Sequence, residues 1–178
     1  MARAWRLAAG PASTRTLGRT KYVRRFSYVN HRKSPMQELT GGCLCRSIRY
    51  RLVGDPVISR ICWCRDCQYL SSNGTVNAVF PTSSIEIDGN PAEYTSVADS
   101  GNHVRRRFCP KCGSHLFADN TGRLGLTVVR VGTLDDPSSI SPVANIWSSS
   151  APSWTCLNSA LQRVEKQAQS LQPPPSAA

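Results

Sequence analysis

The chain has 178 residues, 40% of them hydrophobic, which suits one domain with a sizeable core. No apolar run approaches the ~20 residues needed to cross a bilayer, so the sequence predicts no membrane span. The net charge of +11 is unevenly placed: residues 1–37 carry nine Lys and Arg and no acid, while from Glu38 onward thirteen basic side chains face eleven acidic ones. The part able to fold is therefore close to neutral, which argues against a nucleic-acid-binding surface there.

Residues 1–36 form a basic extension rich in Arg, Ser, Thr and Ala, without sustained apolar periodicity. Three readings compete for it: a mitochondrial transit peptide, a disordered basic arm, or a stretch upstream of a true start at Met36, the only other methionine. The expected location is cytoplasmic, or mitochondrial if the extension is a transit peptide. A compact β-rich domain is predicted over residues 37–164. Ser47–Val53 alternates polar and apolar residues as a half-buried strand does, and Gly54-Asp55-Pro56 ends it in a turn. Thr75–Phe80, closed by Pro81, and Ser84–Asp88, closed by Gly89-Asn90-Pro91, are further strands. His103–Phe108 leads into a cysteine pair, and Leu124–Val131 is the most apolar stretch, predicted as a central strand. The best helix candidate is Ala160–Gln169. Residues 165–178, with three consecutive prolines, form a predicted disordered tail.

Seven of the eight cysteines fall into three clusters: Cys43-x-Cys45, Cys62-x-Cys64-x-x-Cys67 and Cys109-x-x-Cys112. Eight cysteines also permit a disulfide framework, but no secretory signal opens the chain, and such tight clusters suit a metal better than distributed staples. Zinc takes four thiolates in a closed structural site, and three protein ligands where a position is kept open for chemistry. Seven thiols divide naturally into four and three. Cys109-Pro110-Lys111-Cys112-Gly113 is a metal knuckle, with Gly113 where a left-handed backbone is often needed. Gly41-Gly42-Cys43-Leu44-Cys45 is a tighter version whose glycines admit the chain to the ion. Spacing leaves two partitions open: Cys43, Cys45, Cys109 and Cys112 with a separate Cys62, Cys64 and Cys67, or a ribbon of Cys64 and Cys67 with Cys109 and Cys112.

In order along the chain, GGCLCxxIRY, CxCxxCQ, SGNxVxRxFCPKCGSxLF and PVANIWxSSAPSW resemble the glutathione-dependent formaldehyde-activating enzyme family, from Gly41 to about Trp154. The resemblance implies a mainly β, zinc-ribbon-containing β-tent fold with two zinc sites and few short helices. It implies that Cys43, Cys45, Cys109 and Cys112 hold a structural zinc, and that Cys62, Cys64 and Cys67 hold a second, catalytic one. The implied activity is that of a carbon–sulfur lyase, joining a small-molecule thiol (glutathione) to formaldehyde or a related aldehyde as an S-hydroxymethyl adduct. Two positions depart from the family pattern. Arg46 replaces the usual glycine after Cys45, and Trp63 replaces the usual histidine between Cys62 and Cys64.

Two rivals accompany the enzyme. One is a zinc-stapled β domain that binds protein or nucleic acid without catalysis. The other is a redox protein using Cys64 and Cys67 as a dithiol, although nothing around them resembles the βαβ setting of such motifs. Arg105–Arg107 read as a solvated run in which Arg105 and Arg107 share a face and Arg106 takes the other. Arg65 lies inside the three-cysteine cluster, between Cys64 and Cys67. His103, His115, Asp66 and Cys156 read as non-ligands, Gly101-Asn102 as a turn, and Trp147 and Trp154 as core residues or a pocket wall.

Overall fold

The computed structural model describes residues 37–167. The basic extension at 1–36 and all but residues 165–167 of the proline-rich tail lie outside the described residues. The elements in chain order are β1 (Glu38–Gly42), β2 (Arg49–Val53), β3 (Ile58–Cys62), α1 (Arg65–Ser71), β4 (Thr75–Pro81), β5 (Ile85–Asp88), β6 (Ala92–Val97), β7 (His103–Phe108), β8 (His115–Asn120), β9 (Leu126–Arg130), β10 (Ala144–Ile146) and β11 (Gln162–Arg163). The fold is mainly β, with one α-helix among the described residues, and none of their helices is long and apolar enough to cross a membrane.

Two sheets form. One has the order β1-β2-β5, and the other β11-β10-β3-β4-β9-β8-β7-β6. All pairings are antiparallel except those of β10, which runs parallel to both β3 and β11. Side chains alternate between the two faces of a strand, so the pleat decides what each face presents. In β2, Tyr50 and Leu52 point inward while Arg49 and Arg51 point out. Leu39, Tyr50 and Leu52 pack with Ala78, Phe80, Phe117 and Val129 of the larger sheet in one buried cluster. The Tyr50 ring meets Phe117 edge-on at 5.0 Å, and its hydroxyl lies 2.8 Å from that of Thr133. Burial pushes the Tyr50 phenol up to about 12. Gly41 and Gly42 serve this packing. A Cβ on Gly41 would lie 2.3 Å from the Tyr50 ring, and one on Gly42 2.5 Å from the Ile48 carbonyl oxygen.

The other face of the larger sheet carries Arg60 and Cys62 from β3, Asn77 and Val79 from β4, and Val128 and Arg130 from β9. With Val104, Arg106 and Ala118 they wall a cavity of about 360 Å³. Cross-strand register aligns Arg60 with Asn77, and Asn77 with Arg130, in one rank across three strands.

Five predicted strands form within a residue or two of their expected bounds. The helix predicted over Ala160–Gln169 does not form over residues 160–167, and residues 168–169 lie outside the described range. This segment holds β11 instead. The Val164 amide donates to the Asn145 carbonyl at 2.9 Å, and the Trp147 amide donates to the Lys166 carbonyl at 3.0 Å. Tertiary backbone hydrogen bonds have overridden a local helical preference.

Asp135 ties β1 and β2 to the turn after β9. It accepts two hydrogen bonds from Arg49, one at 2.9 Å, and a third from Thr40 Oγ1 at 2.6 Å. These bonds, Arg49 first and Thr40 next, hold the carboxyl at about 2. A carboxyl lowered by folding contributes stability that is present above its ordinary value and lost as pH falls through its folded value. Asp135→Asn should therefore lower the thermal midpoint at pH 7, modestly because both partners are exposed. The gap to wild type should close between about pH 4 and pH 2. Melts across that range test this, and a gap that widens on acidification would refute it.

Candidate metal centres

The sulfurs assemble as two groups. Cys43, Cys45, Cys109 and Cys112 lie within 4.8 Å of one another, and Cys62, Cys64 and Cys67 do likewise. All eight cysteines are free, so the disulfide framework weighed above is not formed. The ribbon of Cys64 and Cys67 with Cys109 and Cys112 is not the grouping adopted. Cys156 is exposed and joins neither group, and neither do His103 and His115.

The four-sulfur group closes between the sheets. Cys43 and Cys45 follow β1, while Cys109 and Cys112 occupy the β7–β8 turn. A register shift between Arg107 and Phe108 redirects β7 just before the knuckle. The Cys109 amide donates to the Ser114 carbonyl, and the Gly113 amide to the Cys109 carbonyl, both at 2.9 Å. Gly113 has φ of +72°, a left-handed conformation that costs glycine little. Sulfur–sulfur separations are 3.6 Å for Cys43–Cys45 and 3.7 Å for Cys45–Cys109. The edge of a tetrahedron with ~2.3 Å metal–sulfur bonds is about 3.8 Å, so the donor set fits a tetrahedral thiophilic ion. The Ile48 amide donates to Cys43 Sγ at 3.3 Å; Ser47 Oγ lies 3.2 Å from Cys45 Sγ, and Ser114 Oγ 3.2 Å from Cys112 Sγ. Such donors orient thiolates and spread their charge. Sequence reading missed Ser47 and Ser114, since a serine near a cysteine has no distinguishing spacing.

Arg46 follows this group with φ of +60°. Its amide donates to the Cys43 carbonyl at 2.9 Å, closing the turn that brings the chain off the cluster. A glycine would take this left-handed conformation at less cost than an arginine.

The three-sulfur group is built differently. Cys62 ends β3, Cys64 caps α1 and Cys67 lies in its first turn. Cys62 and Cys67 are buried and Cys64 is half-buried, yet all three line the cavity. With the sulfurs this close, ionisation of one is gained at the expense of another. Cys67 is pushed down, through hydrogen bonds with Cys62 and then Cys64, while Cys62 is pushed up by its own with Cys64 and Cys67. Trp63 points away from the cavity. Its ring packs over Gly74, where an added Cβ would lie 2.8 Å from it, and its indole N–H donates to Asn145 Oδ1 at 3.1 Å. The tryptophan supports the site from behind and does not wall it.

Gln68 locks this corner. Its amide donates to the Trp63 carbonyl at 2.7 Å and the Ser150 carbonyl at 2.9 Å, and accepts from Arg65. Arg65 also stacks over Tyr69 at 5.0 Å. Arg106 is buried, donating to Asp66 at 2.5 Å and Ser96 at 2.6 Å, so it anchors α1 to β7. Arg105 and Arg107 take the opposite face and pair with Asp119. The arginine run is thus split by the pleat, with one member buried in the site. Arg130 donates to Thr75 at 3.1 Å and to Asn77. Trp147, with φ of +56°, lines the cavity, whereas Trp154 is exposed and not a core residue. Asn102 lines the cavity as well, beyond its role in the turn. His115 is held below its ordinary value by burial, then by Arg130 and Arg106.

The two groups therefore differ in one decisive respect. The four-sulfur group is complete in itself, and the three-sulfur group opens onto a cavity large enough for a small molecule.

Residues 38–150 match the family described as glutathione-dependent formaldehyde-activating enzyme. No curated protein matches the chain significantly. A solved protein from Rhodobacter sphaeroides aligns with 17% identity and a TM-score of 0.48, over 60% of this chain and 98% of that one.

Arg46→Gly should stabilise the fold by about 1 kcal/mol, because glycine relieves the left-handed strain. Thermal melts would register this as a rise of a few degrees, and a fall would contradict the strain account. Cys109→Ser, at a fully buried position in the four-sulfur group, should lose folded structure by circular dichroism. Cys64→Ser should stay folded and hold one metal equivalent fewer than wild type by elemental analysis.

Proposed function

The chain belongs to the glutathione-dependent formaldehyde-activating enzyme family, and we propose that it is a zinc-dependent carbon–sulfur lyase that joins glutathione to formaldehyde or a related small aldehyde. Supporting this reading is the open side of the Cys62, Cys64 and Cys67 group, which faces the cavity. Cys43, Cys45, Cys109 and Cys112 would hold a structural zinc, and Cys62, Cys64 and Cys67 the catalytic one. Zinc bound to three thiolates supplies a Lewis acid that lowers the pKa of an added thiol, keeping it nucleophilic near neutral pH.

The reaction makes one carbon–sulfur bond. The substrate sulfur adds to the aldehyde carbon, the carbonyl π electrons move to oxygen, and the proton given up by the thiol ends on that oxygen as the new hydroxyl. The chain's own residues would orient the thiol. Cys62, Cys64 and Cys67 fix where its sulfur arrives, and Gln68 and Arg106 hold the helix and loop that carry those cysteines. The cavity walls from β3, β4 and β9 confine the two reactants together, which raises their effective concentration.

The test is the rate of S-hydroxymethylglutathione formation, followed by nuclear magnetic resonance with carbon-13 formaldehyde. Zinc-loaded protein should exceed the spontaneous rate, and Cys64→Ser should bring the rate back to it while remaining folded. A wild-type rate equal to the spontaneous one would sink the proposal.

A further inference from the structure

Arg106 and Arg130 are both buried and both line the cavity, but they are partnered differently. Arg106 is paired with the Asp66 carboxylate. Arg130 has only neutral partners, the Thr75 hydroxyl at 3.1 Å and the Asn77 side-chain carbonyl. It forms no ion pair among the described residues. Its Nε is buried without a hydrogen-bond partner. Buried charges are ordinarily paired, so a buried guanidinium with neutral neighbours on a cavity wall points to an anion nearby.

The strand register indicates which anion. Thr75 stands directly opposite Cys62 across β3 and β4, and directly opposed side chains lie about 5 Å apart. The same threonine accepts from Arg130, so one short side chain separates the guanidinium from the sulfur group. Asn77 donates to that threonine oxygen at 3.0 Å and aligns with Arg130 across β4 and β9, which fixes the guanidinium in place. The carboxylates of the cavity wall do not serve Arg130. Asp66 is paired with Arg106, Asp119 with Arg105 and Arg107, and Asp99 is exposed. The sulfurs are the acidic groups that remain. Around a doubly charged ion, three thiolates carry one net negative charge, and a substrate thiolate raises it to two. A fixed cation beside that added charge counts for more in a protein cavity than in water.

We infer that Arg130 is the counter-cation of the three-sulfur centre and lets that centre accept a thiolate as a further ligand. This rests on the reading that Cys62, Cys64 and Cys67 hold a metal ion that a substrate thiol joins. Arg130 responds to the charge of the incoming ligand, so its effect should divide ligands by charge.

The experiment uses the full chain loaded with cobalt(II), on which a bound thiolate adds a sulfur-to-metal absorption band in the near ultraviolet. The anionic probe is 2-mercaptoethanol, which carries no carboxylate, and the neutral probe is imidazole. Arg130→Gln removes the cation. Asn77→Asp keeps it but sets a carboxylate against it at nearly unchanged volume, and decides alone if Arg130→Gln does not fold. Arg51→Gln, on the outer face of β2, controls for the change in net charge. Both cavity variants should bind 2-mercaptoethanol roughly tenfold or more weakly than wild type, and imidazole within about twofold of it. Arg51→Gln should match wild type with both probes. Equal losses for the two probes, or an unchanged affinity for the thiol, would overturn the counter-cation and leave the thiol reading intact. No thiolate band in wild type at millimolar 2-mercaptoethanol would overturn both. Charge-selective losses without acceleration of adduct formation by the zinc-loaded chain would keep the counter-cation and remove the lyase reading.

Discussion

The convergence of four sulfurs from the two sheets is the constraint on which the rest depends. Cys43 and Cys45 leave the three-stranded sheet, and Cys109 and Cys112 turn between strands of the eight-stranded one, so any ion they share joins both layers. Thiolates must be deprotonated to bind, and ion binding is then folding free energy. The apolar layer alone is thin. It rests on Tyr50, Leu52, Phe80, Phe117 and a few smaller side chains, while the opposite face of the larger sheet carries arginine, asparagine and cysteine among its valines and lines a cavity. A sheet with only one face in the core needs another source of stability, and the closed four-thiol group is placed to supply it.

The two centres illustrate how sulfur count and surroundings set chemistry. Around the first, hydroxyls of Ser47 and Ser114 and an amide hydrogen take up the remaining hydrogen-bonding capacity of the sulfurs. Around the second, Gln68 bonds the backbone carbonyls of Trp63 and Ser150, and Arg106 bonds the carboxylate of Asp66, so both brace the loop and helix that carry the cysteines. That leaves one side of the sulfur group facing open volume. Trp63 belongs to the backing layer: its bulk fills the space beside Gly74, and its indole N–H is satisfied by Asn145, so a large residue inside the motif leaves the cavity itself unaltered.

What the sequence disclosed follows from which signals are local. Alternation exposed β2 and β5, where one face is core and the other solvent. It could not expose β3, whose residues are buried on both faces almost throughout, with Arg60 and Cys62 turned to the cavity. Helix α1 has seven residues, too few for a helical period to show, and it lies inside the cysteine cluster that drew attention to its ligands. The segment after Ala160 reads as helix by composition but is captured by backbone hydrogen bonds from Asn145 and Trp147. Cysteine grouping was open on spacing and was chosen by resemblance, because which loops meet is a property of the sheet order. The arginines were visible as residues, but their pairing was not. Arg106 is separated from Arg105 and Arg107 by the pleat, and Arg60 gained meaning only once β3 was placed.

Strand β3 links the three-sulfur group to the floor of the cavity. It supplies a sulfur at its end and, two residues earlier on the same face, a buried cation; it also pairs with β4 and β10 on its two sides. A strand fixed on both edges is among the most rigid frames available, so the separation of Arg60 from Cys62 is set by backbone geometry and not by loop conformation. Arg123, by contrast, comes from a turn between β8 and β9, where movement is cheap. One wall of the cavity is therefore held by sheet geometry and another by a turn.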